Sequence, residues 1–269
     1  MRRARVTTFV ATLVLGLGVL GLSVIGLSVI APGAEAERQP ARTSGSITVF
    51  AASSLTDAFT KLGRDFERSH TDTSISFSFN ASSALATQID EGAPADVFAS
   101  ADPASMAKAV DAGAIAGRPD VFARNRLEIA VEPGNPLEIH SLADTVERDV
   151  TVVLCAAAVP CGRYALESYA KAGVKVPDVP TAESARATLT RVALGEADAA
   201  VVYVTDVAAA GDDVDGVAIP EHENVIAEYP IGVVKDTENR ALARAFARFV
   251  ASAPAQRILR RFGFLAPRP

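Results

Sequence analysis

Residues 47–58 read ITVFAASSLTDA, and the pattern of this segment is the strongest indication of the fold. The short apolar run from Ile47 to Phe50 predicts a strand, and the small residues after it predict a turn. Beyond the turn, apolar side chains recur at helical spacing, at Leu55, Ala58, Phe59, Leu62 and Phe66. The stretch therefore predicts a strand, a turn and a helix in immediate succession.

The same order of strand, turn and helix recurs along the chain. Further strands are predicted at 74–79, 95–100, 126–131, 150–155, 199–204, 217–219 and within 225–234. Further helices are predicted around Leu85 and at 103–112, 163–172, 183–194, 239–251 and 255–262. Strands and helices that alternate at this length predict an α/β fold with mostly parallel sheets flanked by helices. Two such units with a ligand cleft between them would account for the length.

The N-terminus predicts export. Three arginines precede an apolar and small-residue run at 6–30, and the triplet AEA at 34–36 offers a signal-peptidase site. Residues 1–36 are therefore predicted to be a signal peptide, and 37–46 a flexible leader. The run of 25 residues could also span a bilayer, so an uncleaved membrane anchor stays open. Either way, the protein is predicted to act outside the cytoplasm, free or tethered by its N-terminal segment.

Charge and histidine content exclude two classes of function. The formal net charge at pH 7 is −6, so a clustered basic face for nucleic acid is not expected. His70, His140 and His222 lie far apart in polar surroundings, without the spacing of metal ligands. No site for a metal cation is predicted.

Both cysteines, Cys155 and Cys161, lie in one short segment of a chain predicted to be exported. An oxidising compartment favours a local disulfide between them. Two buried thiols stay open as the alternative.

Serines stand where helices begin directly after strands. Ser54 opens the first predicted helix, and Ser82 or Ser83 opens the second. A helix N-terminus carries unpaired N–H groups and a partial positive charge, so it attracts anions, and a hydroxyl there adds another donor. Serine is also a common helix cap, so each serine taken alone is explained by capping.

Five segments and two short closing segments, in order, resemble the periplasmic molybdate-binding proteins of ABC transporters. Residues 47–58 resemble the family's opening ITVFAAASLT, and residues 79–102, which contain EGAPADVFASAD, resemble its most distinctive block. The other matches are VPCGRYA at 159–165, AESAR at 182–186, AVVYVTD at 200–206, and the closing EYP at 228–230 with RFGF at 261–264. Together the segments span nearly all of the chain beyond the leader.

The resemblance implies a two-lobed periplasmic-binding-protein fold of type II, with the ligand in the cleft between the lobes. Lobe I would comprise 47–127 and 228–269, and lobe II 128–227. The implied function is to bind molybdate or tungstate for an ABC importer, without enzymatic activity and without a cofactor; sulfate is the alternative ligand. The implied partners are the permease and ATPase subunits of the importer, and the protein itself would be a monomer.

Carried over position by position, the resemblance implies five ligand contacts. Ser54, Ser82 and Tyr203 would supply hydroxyl donors, and Cys161 and Ala185 would supply backbone N–H groups. A tetrahedral dianion has no proton to donate at neutral pH, so a shell of donors alone fits it and penalises protonated phosphate. The metal would be held as its oxyanion, without direct cation ligands.

The residues in and next to the implied ligand shell also allow other interpretations. Arg163 and Arg186 adjoin the implied shell; they either pair with the ligand or, as we favour, form ion pairs at the rim or between lobes. An exported hydrolase with Ser54 or Ser82 as nucleophile lacks a G-x-S-x-G motif and a histidine partner. A ligand-sensing domain of a transcription regulator is disfavoured by the export signal and by the lack of a helix-turn-helix segment.

Overall fold

The structure is a computed structural model that describes residues 44–267. The predicted signal peptide or anchor at 1–36, and most of the predicted leader, lie outside the described residues. Gly45 and Ser46, at the end of the predicted leader, are the first residues of a strand. Within 44–267, none of the helices is both long and apolar enough to cross a membrane.

Residues 44–267 form nine strands and eight α-helices. The strands are β1 Gly45–Ala52, β2 Thr73–Asn80, β3 Val97–Ala99, β4 Asp120–Val131, β5 Val152–Cys155, β6 Thr181–Ala182, β7 Ala199–Tyr203, β8 Asp215–Ala218 and β9 Ile226–Val233. The helices are α1 Thr56–Ser69, α2 Ser82–Asp90, α3 Pro103–Asp111, α4 Pro160–Lys171, α5 Ala185–Ala193, α6 Val204–Ala210, α7 Arg240–Ala251 and α8 Ala253–Arg261. The predicted α/β class is confirmed, and α6 is a helix that the sequence reasoning did not find.

The strands follow the order β2-β1-β3-β9-β4-β7-β5-β6, with β8 paired to β4 outside this path. Pairs at the two ends of this order are parallel, as predicted, because helices connect their strands. The pairs that involve β4 or β9 are antiparallel. The sheet is therefore mixed, with two strands of opposite direction at its centre.

The long strand β4 links the two groups of strands. Its residues 120–126 pair with β9, and from Leu127 onward it pairs with β7 and β8. This change of partner lies beside the predicted boundary between 127 and 128. The lobe boundaries themselves stay a prediction.

The core beside β1 explains why the opening stretch governs the fold. Four apolar side chains of the first helical segment recur every three or four residues and are fully buried, namely Leu55, Phe59, Leu62 and Phe66. The rings of Phe59 and Phe66 both pack edge-on against Phe246 of α7, with centroids 6.2 and 5.5 Å apart. The beginning and the end of the chain therefore share one core.

We expect Phe59→Ala to lower the free energy of unfolding by about 3–5 kcal/mol, because it leaves a cavity among packed rings. Arg64→Ala, at an exposed position of the same helix, should change it by less than about 0.5 kcal/mol. Urea denaturation of both variants measures the difference. Equal losses in the two variants would contradict this packing.

Candidate functional site

All five predicted ligand residues line one small cavity. They are Ser54, Ser82, Cys161, Ala185 and Tyr203. The positions that the centre of a water molecule can occupy amount to about 10 Å³. The remaining lining residues are Ala52, Ser53, Asn80, Ala81, Ala101, Val159, Pro160 and Ser184. The cavity therefore suits a small ion rather than a sugar or a peptide.

Several helix N-termini meet at this cavity, each within a few residues of the end of a strand. Ser54 lies in a short 3-10 turn between β1 and α1, and α2 begins at Ser82. Cys161 is the second residue of α4, after Pro160, and α5 begins at Ala185. The first N–H groups of a helix have no partner within the helix and carry partial positive charge. The cavity thus collects backbone donors from separate parts of the chain.

Neither Ser54 nor Ser82 caps its helix, contrary to the plain interpretation of each serine taken alone. No side-chain capping bond occurs at the turn that contains Ser54 or at the start of α2. The Oγ of Ser82 instead accepts the backbone N–H of Ala101, at 2.9 Å. Because that N–H can only donate, the Ser82 hydroxyl hydrogen remains available to the cavity.

Other residues cap the neighbouring helices. Ser184 caps α5 by accepting the Ala187 N–H at 3.2 Å. Asp102 caps α3 by accepting the Ser105 N–H at 3.0 Å.

Tyr203 carries the clearest sign of a ligand. Its side chain is only 1% exposed, and its hydroxyl has no hydrogen-bond partner among the described residues. Burial raises the pKa of this phenol well above its usual value, so the hydroxyl keeps its proton. A buried donor without a partner costs about 1–3 kcal/mol, which a bound acceptor would offset.

None of the described residues that line the cavity is charged. Arg163 of α4 pairs with the Asp102 carboxylate, and Arg186 of α5 pairs with Asp57 of α1. The ion-pair interpretation of both arginines is thereby confirmed. Positive charge next to the cavity is neutralised, and each pair joins two segments that the sequence assigned to different lobes.

The predicted disulfide is present between Cys155 and Cys161, whose Cα atoms are 5.7 Å apart. It joins the end of β5 to the first turn of α4, beside the cavity. The next residue, Gly162, has no space for a side chain, because a Cβ there would lie 2.1 Å from the carbonyl oxygen of Ala156. The disulfide and this close approach hold the Cys161 N–H in place.

Three further residues support the site and were not found from the sequence. The Oγ of Ser54 lies 2.9 Å from the hydroxyl of Tyr229, which in turn lies 3.3 Å from the amide nitrogen of Asn125. The carboxyl group of Asp206 accepts the backbone N–H of Tyr203 at 3.3 Å. An ionisable residue two positions after the apolar strand at 199–204 was the available signal for Asp206. Tyr229 lies in the EYP segment that resembles the family, but neither it nor Asn125 could be distinguished from a core residue.

A family model of bacterial extracellular solute-binding proteins matches residues 47–265. The chain belongs to this family. The solute-binding protein is 41% identical over 228 residues to the molybdate-binding protein ModA of Mycobacterium tuberculosis, a match that covers 85% of this chain and 87% of that protein. The resemblance to molybdate-binding proteins is thereby confirmed.

Solved structures show the fold of the solute-binding protein. The periplasmic molybdate-binding protein of Azotobacter vinelandii matches with a TM-score of 0.74 and 20% identity, over 82% of this chain and 100% of that chain. The sulfate-binding protein SubI of M. tuberculosis matches with a TM-score of 0.74 and 21% identity, over 83% and 88% of the two chains. The predicted two-lobed, type II periplasmic-binding-protein fold is confirmed.

Asp206 makes a pH-dependent contribution to stability. Burial raises the pKa of its carboxyl from 3.8 to about 7, so between these values the folded protein holds a proton that the unfolded chain has lost. Stability from this group therefore falls as pH rises through that window, by up to about 1.4 kcal/mol per pH unit. Asp206→Asn should remove this slope, so its stability relative to the wild type should rise from pH 4.5 to pH 7. Urea denaturation at several pH values measures it; a constant difference would contradict the buried, protonated carboxyl.

Proposed function

We propose that this protein is the solute-binding component of an ABC importer and captures molybdate or tungstate outside the cytoplasm. One observation carries the proposal: neutral donors from separate segments converge on one cavity, and the buried Tyr203 hydroxyl among them has no partner within 44–267. The 41% identity to a protein named for molybdate binding supports the same ligand.

The proposed ligand contacts match the chemistry of a tetrahedral dianion. Ser54, Ser82 and Tyr203 donate through hydroxyls, and Cys161 and Ala185 donate through backbone N–H groups. Four ligand oxygens that only accept are then surrounded by groups that donate. Helix N-termini supply favourable potential without lysine or arginine, as is usual for anions bound at helix starts.

Sulfate is the second candidate, since it shares the shape and charge of molybdate. The protein has the same fold as a sulfate-binding protein, but the likeness at 21% identity concerns the fold alone. The relative with higher identity is named for molybdate, which favours the larger anions. Cavity size is the property by which the two ligands would be separated.

Binding rather than catalysis fits the surroundings of the two serines. The described partners of their hydroxyls are the Tyr229 hydroxyl and the Ala101 backbone N–H, and neither is a general base that could activate a nucleophile. We further propose that the protein needs no cofactor and works as a monomer. Its partners would be the membrane permease and ATPase subunits of the importer.

Ligand capture in this proposal closes two lobes, 47–127 with 228–269 against 128–227. The pairs between Arg163 and Asp102 and between Arg186 and Asp57 would form on closure, beside the bound ion. They would hold the closed form without touching the ligand.

Isothermal titration calorimetry with molybdate, tungstate, sulfate and phosphate tests the proposal. We expect molybdate and tungstate to bind at one site per chain, sulfate to bind more weakly, and phosphate to bind weakest. Binding of sulfate alone would reassign the ligand. No binding of any tetrahedral oxyanion would overturn the proposed function.

Tyr203→Phe should weaken molybdate binding about 10- to 100-fold, because it deletes one hydrogen bond to a charged acceptor. Tyr169→Phe is a matched control: Tyr169 is equally buried, but its hydroxyl contacts Thr145 at 2.6 Å and does not line the cavity. Calorimetry on both variants should show the loss only at position 203. Unchanged molybdate affinity in Tyr203→Phe would show that the Tyr203 hydroxyl does not bind the ligand.

A further inference from the structure

We propose that Asn125 and Tyr229 are positioning residues that set the direction of the Ser54 hydroxyl, so that it donates into the cavity. The inference rests on the proposed function and concerns how the site rejects oxyanions that carry a proton. The direction of the Ser54 hydroxyl has to be set by its neighbours, because a hydroxyl can either donate or accept a hydrogen bond.

The series of hydrogen bonds begins at a backbone N–H group, which can donate a hydrogen bond but cannot accept one. The backbone N–H of Arg126 donates to the Oδ1 of Asn125 at 2.9 Å. A backbone N–H has no acceptor capacity, so it fixes which end of the Asn125 amide faces it. The Nδ2 of Asn125 must then face the other way, where the Thr205 hydroxyl lies at 2.9 Å and the Tyr229 hydroxyl at 3.3 Å.

The direction of the Asn125 hydrogen bond determines the direction of the next one, which Tyr229 makes. Its oxygen accepts from Asn125, and burial raises the pKa of the phenol, so it keeps its own hydrogen. That hydrogen needs an acceptor, because Tyr229 is fully buried. Within residues 44–267, the acceptor in contact with it is the Oγ of Ser54, at 2.9 Å. Tyr229 therefore donates to Ser54.

Ser54 is left with its hydrogen free on the side of the cavity. To accept a hydrogen bond from a ligand, Ser54 would have to turn its hydrogen away from the cavity. The hydrogen would then point either at Tyr229, whose own buried hydrogen would lose its partner, or to the remaining position around Oγ, where it has no acceptor among the described residues. Molybdate, tungstate and sulfate never require this reversal near neutral pH. Phosphate carries a P–OH that does require an acceptor. The hydrogen bonds from Asn125 through Tyr229 to Ser54, which we call the relay, therefore weaken the binding of phosphate.

Asn125→Asp tests the direction, because a carboxylate of the same shape accepts from both neighbouring hydroxyls and still accepts the Arg126 N–H. Tyr229 would then donate to position 125 and accept from Ser54, which turns the Ser54 lone pair toward the cavity. We expect the ratio of molybdate to phosphate affinity to fall about tenfold. The ratio of molybdate to sulfate affinity should stay within about twofold, since the added charge acts alike on both anions.

Tyr229→Phe tests the relay by breaking it while keeping the ring. This variant should bind molybdate about 2- to 10-fold more weakly in the wild-type background and no more weakly in a Ser54→Ala background, because it acts through Ser54. Tyr169→Phe serves as the control for loss of a buried phenol hydroxyl. It should change neither the ratio of molybdate to phosphate affinity nor the ratio of molybdate to sulfate affinity.

Calorimetry with molybdate, and competition by sulfate and phosphate, measures all of these affinities. Equal weakening of the three anions in Asn125→Asp, or an undiminished effect of Tyr229→Phe in the Ser54→Ala background, would overturn the proposal. So would a failure of phosphate to compete when Asn125→Asp still binds molybdate. A wild-type protein that binds none of these anions would instead overturn the proposed function.

Discussion

A doubly negative ion held without a positive side chain needs hydrogen bonds that all point toward it. Each group around the cavity is therefore constrained in direction as well as in position. The backbone N–H groups at the starts of α4 and α5 can only donate, so their direction is fixed by chemistry. The serines have no such fixed direction, and here each Oγ lies beside a buried donor, Tyr229 for Ser54 and the Ala101 N–H for Ser82. Tyr203 completes the set as a buried phenol with a raised pKa.

The fold brings those donors together from distant parts of the chain. Parallel strands at both ends of the sheet deliver helix starts to one edge, and the antiparallel strands β4 and β9 connect the two groups. The same two strands carry Asn125 and Tyr229, so the strands that link the groups also carry the hydrogen bonds that lead to Ser54. Rigid support comes from the aromatic core beneath Tyr229, which packs against Phe122, Tyr203 and Phe264. The disulfide at Cys161 stiffens the opposite wall.

Local pattern was enough to predict most of the elements, but not the residues that converge on the cavity. Periodicity identified α1 through Leu55, Phe59, Leu62 and Phe66, because a helix that covers a sheet must repeat its apolar face. Resemblance to a family supplied the five lining residues, which no single turn could have indicated. Strand direction at the centre of the sheet could not be predicted, because pairing between β4 and β9 depends on contacts a hundred residues apart. For the same reason the proposed roles of Asn125 and Tyr229 could not be predicted. In sequence Asn125 lies between two arginines and Tyr229 between a glutamate and a proline, and only the fold brings Tyr229 to Ser54 and Asn125 to Tyr229.

In the proposed site, uncharged hydroxyl and amide donors alone hold the anion. A crystal of the protein grown with molybdate, with the molybdenum located by its anomalous scattering, tests this arrangement. We expect oxyanion oxygens about 2.7–3.2 Å from the hydroxyls of Ser54, Ser82 and Tyr203 and from the backbone nitrogens of Cys161 and Ala185. An ion bound instead by the guanidinium groups of Arg163 or Arg186, or lodged outside this cavity, would contradict it.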